Sequence, residues 1–190
     1  MVTDLGRRLT AVILLLLMSV GLMRAQKFSL SVNLLECASL GTMNLDASYA
    51  VGRHWSVTAG ARYNPFTYHK GEPGRQFQAR QQSYAVGVRA WPWHIMSGWW
   101  FAGKGRWQEY NVGGILGPET REGDRFGGSL SAGYALMLSP HLNLEFGLGV
   151  WAGVDVYTVY SCPLCGLTVD SGNKFFVLPD DIMISLAYVF

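Results

Sequence analysis

Beyond residue 26 the chain reads in steps of two. In FSLSVNLL, residues 28–35, Phe28, Leu30, Val32 and Leu34 alternate with Ser29, Ser31 and Asn33, the period of a strand with one apolar and one polar face. TMNLDASYAV sets Met43, Leu45, Ala47, Tyr49 and Val51 against Thr42, Asn44, Asp46 and Ser48, and WSVTAGARYN sets Trp55, Val57, Ala59, Ala61 and Tyr63 against Ser56, Thr58, Gly60 and Arg62. The pattern returns in QSYAVGVRAW with Arg89 on the polar side and in GWWFAGKGRWQ with Lys104 and Arg106 opposite Phe101 and Trp107. It returns again in GSLSAGYALML and in LNLEFGLGVW, where Glu145 is on the polar side, and IMISLAYVF closes with Ile182, Ile184, Leu186, Tyr188 and Phe190 in one row. These are eight strands, each of about 9 to 11 residues, the length that crosses a bilayer when tilted, and their number is even.

The connections add a second signal. Short ones (GRH, WHIMSG, SPH) alternate with long ones (PFTYHKGEPGRQFQAR, NVGGILGPETREGD, SCPLCGLTVDSGNKFFVLPD), the first connection near ECASLG being short. Short turns at one end and long loops at the other are the asymmetry of an outer-membrane barrel. Aromatics gather at strand ends, which predicts two interfacial girdles: Trp55, Trp91, Trp93, Trp99 and Trp100 beside the short turns, and Tyr63, Phe66, Tyr84, Trp107, Tyr157 and Tyr160 near the long loops. Alternation alone also fits a soluble sandwich with its apolar rows packed inward. With the apolar rows on lipid, Asp46, Arg62, Arg89, Lys104, Arg106 and Glu145 face the interior as a paired polar cluster, since eight strands enclose a space that side chains just fill. The last strand then pairs with residues 28–34 to close the barrel, and Tyr188 with Phe190 resembles the C-terminal signal recognised by barrel-assembly machinery.

Composition agrees with an exterior that is not all water. Charged residues make up 15% of 190, aromatics 13%, and glycines number 23, against about 25% charged in ordinary soluble domains. The opening MVTDLGRRLTAVILLLLMSVGLMRAQ has Arg7 and Arg8 before the apolar run Ala11 to Met18, and a small Ala25. It predicts a signal peptide over residues 1–25, cleaved to leave one barrel domain over residues 26–190. Cleavage removes Arg7, Arg8, Arg24 and Asp4, two net positive charges from a total of +2. The remaining chain is neutral, and no basic face argues for nucleic acid.

Candidate chemistry is sparse. Cys162 and Cys165, spaced CxxC, suit a structural disulfide, with a zinc half-site and free thiols as alternatives; Cys37 and His69 fall on the same outer side. His54, His94 and His141 sit in short turns. An enzyme would have to use His69 with Glu72, Glu119, Glu122 or Asp124, and no spacing ties these together; no phosphate loop, HExxH or dinucleotide fingerprint is present. No catalytic, cofactor-binding or metal-binding residue is therefore assigned, and no cofactor is expected.

The run NLLECASLGTMNLDASYAVGRHWSVTAGARYNPF resembles the opening of a Bacteroidetes-type outer-membrane family that carries a domain-of-unknown-function label. Further similarities are YNVGGI at Tyr110 to Ile115, GYALMLSPHLNLEFGLG, and the CxxC before the last strand; Arg53 and Phe66 depart mildly from the family's Lys and Trp. The resemblance implies an all-β, eight-stranded antiparallel up-and-down transmembrane barrel in the Gram-negative outer membrane, often encoded near fimbrial or adhesin assembly components. The expected role is structural or accessory at the cell surface, with outer-membrane lipids, barrel-assembly machinery and fimbrial or surface proteins as partners. A barrel enzyme acting on lipid or envelope polymer and a soluble barrel binding a small apolar ligand are the alternatives.

Overall fold

A computed structural model describes residues 27–71, 76–114, 119–162 and 166–190; the leader expected over residues 1–25 lies outside them. The strands are β1 (Phe28–Asn33), β2 (Met43–Ala50), β3 (Trp55–Asn64), β4 (Thr67–Tyr68), β5 (Phe77–Ala90), β6 (Gly98–Gly113), β7 (Thr120–Ser139), β8 (Leu142–Tyr160) and β9 (Thr168–Val189), with one short helix, α1 (Leu34–Ala38). All pairings are antiparallel: β1 to β2, β2 to β3, β3 to β5, then each strand to the next as far as β9, which pairs with β1. Eight strands thus form a closed all-β ring, and β4 adds two residues to the edge of β5 above β3.

The ring is staggered. Following partners from Leu30 through Ala47, Ala59, Val86, Gly105, Gly128 and Ala152 leads to Val177, whereas the direct partner of Leu30 on β9 is Tyr188. Allowing for one extra bulge residue in β9, the offset is about ten residues around eight strands, which tilts the strands by roughly 40°.

Two expectations change. Leu34 does not continue the first strand, because Asn33 caps a helix there: its side chain accepts a hydrogen bond from the Leu35 amide at 3.1 Å and the chain turns into α1. Each of the three long connections is partly strand, since β5 starts at Phe77, β7 at Thr120 and β9 at Thr168. In the TREGDR run at the start of β7 polar residues alternate with polar, so ladder hydrogen bonds rather than a buried apolar face hold it.

Burial is inverted relative to a water-soluble domain. The interior takes Ser29, Ser31, Asn33, Ser56, Thr58, Arg62, Ser83, Arg89, Ser131, Asn143, Glu145 and Ser185, all buried. The outer face carries Val57, Val86, Val88, Phe101, Leu130, Phe146, Leu148, Val150 and Leu186, all exposed; Leu130 is 75% and Val86 67% exposed. The upper edge of this apolar belt is crossed by Gln82, Glu109 and Asp124, paired side by side on β5, β6 and β7.

Aromatics divide differently from the two-girdle expectation. Trp55, Trp93, Trp99, Tyr63, Phe66 and Tyr84 are exposed, but Trp91 and Trp100 are buried inside the ring. Trp100 fits because β7 and β8 present bare glycines to it: a Cβ on Gly133 would stand 2.3 Å from its ring and one on Gly147 2.9 Å. Trp91 is held by an indole hydrogen bond to Ser56 Oγ at 3.0 Å.

Candidate functional site

The ring interior is where the chemistry-bearing side chains meet. Period-two geometry sends every second residue of each strand inward, so Arg62 from β3, Arg89 from β5, Lys104 and Arg106 from β6 and Glu145 from β8 all enter one lumen. Asp46 on β2, half-buried, lies over its partner Gly60, where a Cβ would stand 2.2 Å from the carboxylate.

Each cation in this group meets a carboxylate. Arg89 reaches Glu145 at 2.9 Å and lies over the Trp100 ring at 4.2 Å. Arg62 binds Glu36 at 2.8 Å and approaches Asp181 at 3.5 Å. Lys104 Nζ binds Asp181 Oδ2 at 2.7 Å, the same oxygen that accepts from Ser131 Oγ at 2.7 Å. Arg106 pairs with Asp180, donates from Nε to Ser83 Oγ at 2.9 Å and stacks on Trp151 at 4.7 Å. The side chains of Arg62, Arg89, Lys104 and Arg106 are all below 10% exposed. The arrangement is an ionic plug, in which four cations stand among the carboxylates of Glu36, Asp46, Glu145, Asp180 and Asp181.

Glu145 is expected inside, but Glu36, Asp180 and Asp181 come from places the alternation does not flag. Glu36 belongs to α1, which lets it reach into the lumen from above. Asp180 and Asp181 are neighbours in sequence yet both buried, because β9 carries a bulge: Gly147 pairs with Met183 but Gly149 with Asp180, leaving two residues of β9 opposite one of β8. Asp181 holds the left-handed conformation there, φ 48°, which an aspartate tolerates better than most residues. The bulge reverses the inward set, from Met183, Ser185 and Ala187 below it to Phe176 and Asp180 above. Two adjacent acids just before an alternating strand were the available signal.

A second cluster lies above the belt. Arg125 stacks on Tyr110 at 3.9 Å and approaches Asp155 at 3.5 Å, while Tyr110 donates its hydroxyl to Asp155 at 2.8 Å and Lys174 stands 3.7 Å away. Burial, then the bond to Asp155, pushes the Tyr110 hydroxyl up to about 12. Nearby, a cleft of about 570 Å3 is lined by Tyr63, Arg80, Gln82, Glu109, Glu122 and Asp124 among others. His69 is not among its lining residues, so the structure does not assemble the His69 and loop-acid constellation there. Cys37 is exposed and free and accepts a hydrogen bond from Asn44 at 3.4 Å. Among the described residues no group of three or more His, Cys, Asp or Glu is placed to hold a metal ion. Cys165 and Glu72 lie outside the described residues, and with Cys165 the expected Cys162–Cys165 pair.

At the opposite end the turns are stitched by histidine: His54 Nδ1 lies 2.8 Å from the Trp91 carbonyl and His141 Nδ1 2.9 Å from that of Val189. Tyr188 and Phe190 face outward there; the Phe190 amide donates to the Phe28 carbonyl at 2.8 Å, and its ring packs at 5.7 Å from Phe28 and 4.8 Å from Tyr188.

Neither a curated protein nor a solved structure matches the chain. A family model described as a protein of unknown function (DUF3575) matches residues 11–190, so a ring of eight strands with an ionic plug is the form taken by this member, and the chain belongs to the DUF3575 family.

Proposed function

We propose that this protein is an integral outer-membrane β-barrel of a Gram-negative envelope, closed by its ionic plug, with a structural or accessory role at the cell surface. One observation carries the reading: charged side chains are buried inside the ring while aliphatic ones are exposed around its outside. In water each such exposed Leu or Val forgoes roughly 1.5–3 kcal/mol of burial. A belt running around the whole ring also far exceeds the few hundred Å2 of apolar patch that a soluble monomer shows. Lipid removes that cost.

The dimensions agree. From Trp99 to Trp107 the outer row of β6 climbs eight residues, about 27 Å along the strand and about 21 Å along the axis at a 40° tilt. That is close to the roughly 25 Å band of outer-membrane barrels. Tyr84 and Trp107 stack at 5.8 Å at the upper limit, where the Trp107 indole donates to Asp124 at 3.1 Å, and Trp99 meets Tyr134 edge-on at 5.4 Å at the lower one. Rings with one apolar and one hydrogen-bonded edge suit an interface.

The rest of the reading follows from that placement. Residues 1–25 act as the cleaved leader, barrel-assembly machinery receives the last strand with Tyr188 and Phe190, and Cys162 bridges to Cys165, a reading supported by their CxxC spacing in an exported chain. Accessory service to fimbriae or surface proteins is supported by the family resemblance of the sequence alone. The test is fractionation with electrophoresis of boiled and unboiled samples. The protein should stay in the outer-membrane pellet after carbonate washing and migrate faster unboiled; release into buffer without detergent refutes the proposal.

A further inference from the structure

The ring is not equally tall all round. β1 pairs with β9 only from Ser29↔Val189 to Asn33↔Ser185, after which the chain leaves into α1. β9 continues upward to Thr168 with β8 on one side. Among the described residues no strand pairs with its other side above Ser185. The Asn33 side chain covers the first open position, donating to the Ile182 carbonyl at 3.4 Å.

The direction of the amides follows from the ladder. Val189 donates to His141 on the β8 side and Phe190 to Phe28 on the β1 side, so odd residues of lower β9 face β8 and even ones face β1. The bulge reverses this alternation. Above it Asn173, Phe175 and Val177 turn their N–H and C=O groups to the open side, and Pro179, which has no N–H to offer, falls in the same set. That is where an edge strand tolerates proline. Sheet edges are ordinarily blunted by outward charge, proline, bulges, brevity or cover, and on this edge the bulge and Pro179 stand only at the foot of the open stretch. Here the open stretch is long, and its one cation, Lys174, is turned to Asp155 and the Tyr157 ring. Phe175 and Val177 are 71% and 60% exposed.

We propose that the open edge of β9, residues 168–179, receives an extended segment of another protein as an added strand. The guest lies on the line of β1, antiparallel to β9, and so continues the existing β1–β9 ladder upward. It carries apolar residues at alternate positions to pack beside Phe175 and Val177, and small or polar residues between them, facing Lys174 and Asp170. A second copy of this chain does not fit: two barrels sharing one membrane are related by an axis along its normal, which sets their β9 strands parallel, whereas antiparallel pairing needs an axis across the strands. Main-chain bonds supply affinity in such strand addition and alternate side chains supply specificity.

The open edge and its amide direction rest on strand order alone and survive a failed fractionation; only the exclusion of a second copy rests on the proposed membrane location. The test is amide hydrogen exchange on the purified full-length chain in detergent micelles, with two probes. One is a synthetic peptide of four Ile–Thr repeats flanked by lysines; the other is the same peptide N-methylated at alternate residues, which keeps the side chains and loses one row of donors. At millimolar concentration the first should slow exchange at Asn173, Phe175 and Val177 at least tenfold, leaving β6 and β7 unchanged, and the second should not. Asn173→Pro should abolish the protection at Phe175 and Val177, and Asn173→Ala should keep it. Equal protection by both probes, protection elsewhere, or none at all overturns the proposal.

Discussion

Replacing Asp181 by Asn tests whether the lumen is a dry plug or a wet channel. The substitution keeps the volume and the tolerance of a positive φ, and removes one charge. Asp181 is 1% exposed, and its oxygens serve Lys104 at 2.7 Å, Ser131 at 2.7 Å and Arg62 at 3.5 Å. Arg62 retains Glu36, whereas Lys104, 6% exposed, has no other carboxylate partner among the described residues. Leaving a buried charge uncompensated costs about 3–5 kcal/mol, and because both groups are shielded from solvent no discount for screening applies. For a chain of this size that corresponds to a midpoint lowered by about 6–20 °C. Lys104→Met should destabilise by less, because Asp181 keeps Arg62 and Ser131, and the double variant Asp181→Asn/Lys104→Met should recover at least about 2 kcal/mol relative to the sum of the single changes. The assay is the temperature at which the unboiled band converts to the unfolded one in detergent. If both single variants lose less than about 1 kcal/mol with no coupling, these groups are hydrated as in an exposed pair, and the plug reading is wrong.

Further outcomes are expected elsewhere. Gly133→Val forces a Cβ into the Phe146 carbonyl at 2.1 Å and the Trp100 ring at 2.3 Å; the folded band should fall below a tenth of wild type, and wild-type yield would disprove the close approach. Trp100→Ala opens a cavity where a fully buried indole lies over Arg89, with an expected loss of about 3–5 kcal/mol by thermal or urea unfolding. A membrane-impermeant maleimide should label the exposed Cys37 on intact cells, while Cys162 and Cys165 should react only after reduction; labelling of all three without reductant refutes the bridge. Removing Phe190 deletes its amide bond to Phe28 and two ring contacts, and should lower the assembled fraction severalfold in quantitative fractionation, whereas Phe190→Tyr should not.

The sequence made the lower half of the ring legible and the upper half not, for a physical reason. In the lower half one face of each strand is apolar and the other polar, so Arg62, Arg89, Lys104, Arg106 and Glu145 fall on one face by spacing, and the leader, the loop asymmetry and the aromatic strand ends turn that face inward. Above the belt, in runs such as TREGDR, both faces are polar, no hydrophobic period exists, and strand looks like loop. Three of the plug's carboxylates, Glu36, Asp180 and Asp181, were missed for related reasons. Glu36 depends on a helix of five residues nucleated by one asparagine cap, and Asp180–Asp181 depends on a bulge that suspends the period the reading relied on. Trp91 and Trp100 look the same at the end of a strand whether they point to a membrane or into a lumen. Only Gly133 and Gly147, far along the chain, decide it for Trp100, by leaving room.

The closing ladder has a consequence for how such a chain is delivered. Ser29 finds its partner at Val189, so the ring cannot shut until the first and last strands meet, and the entropy of that closure must be met late, with every intermediate carrying two open edges. On the proposed outer-membrane reading, a chain built this way gains by staying unfolded in transit. On that reading its period-two pattern lets it do so: with no apolar run of spanning length after residue 26, it offers a helix-inserting machinery nothing to hold, and becomes a membrane-compatible surface only once both ends are joined.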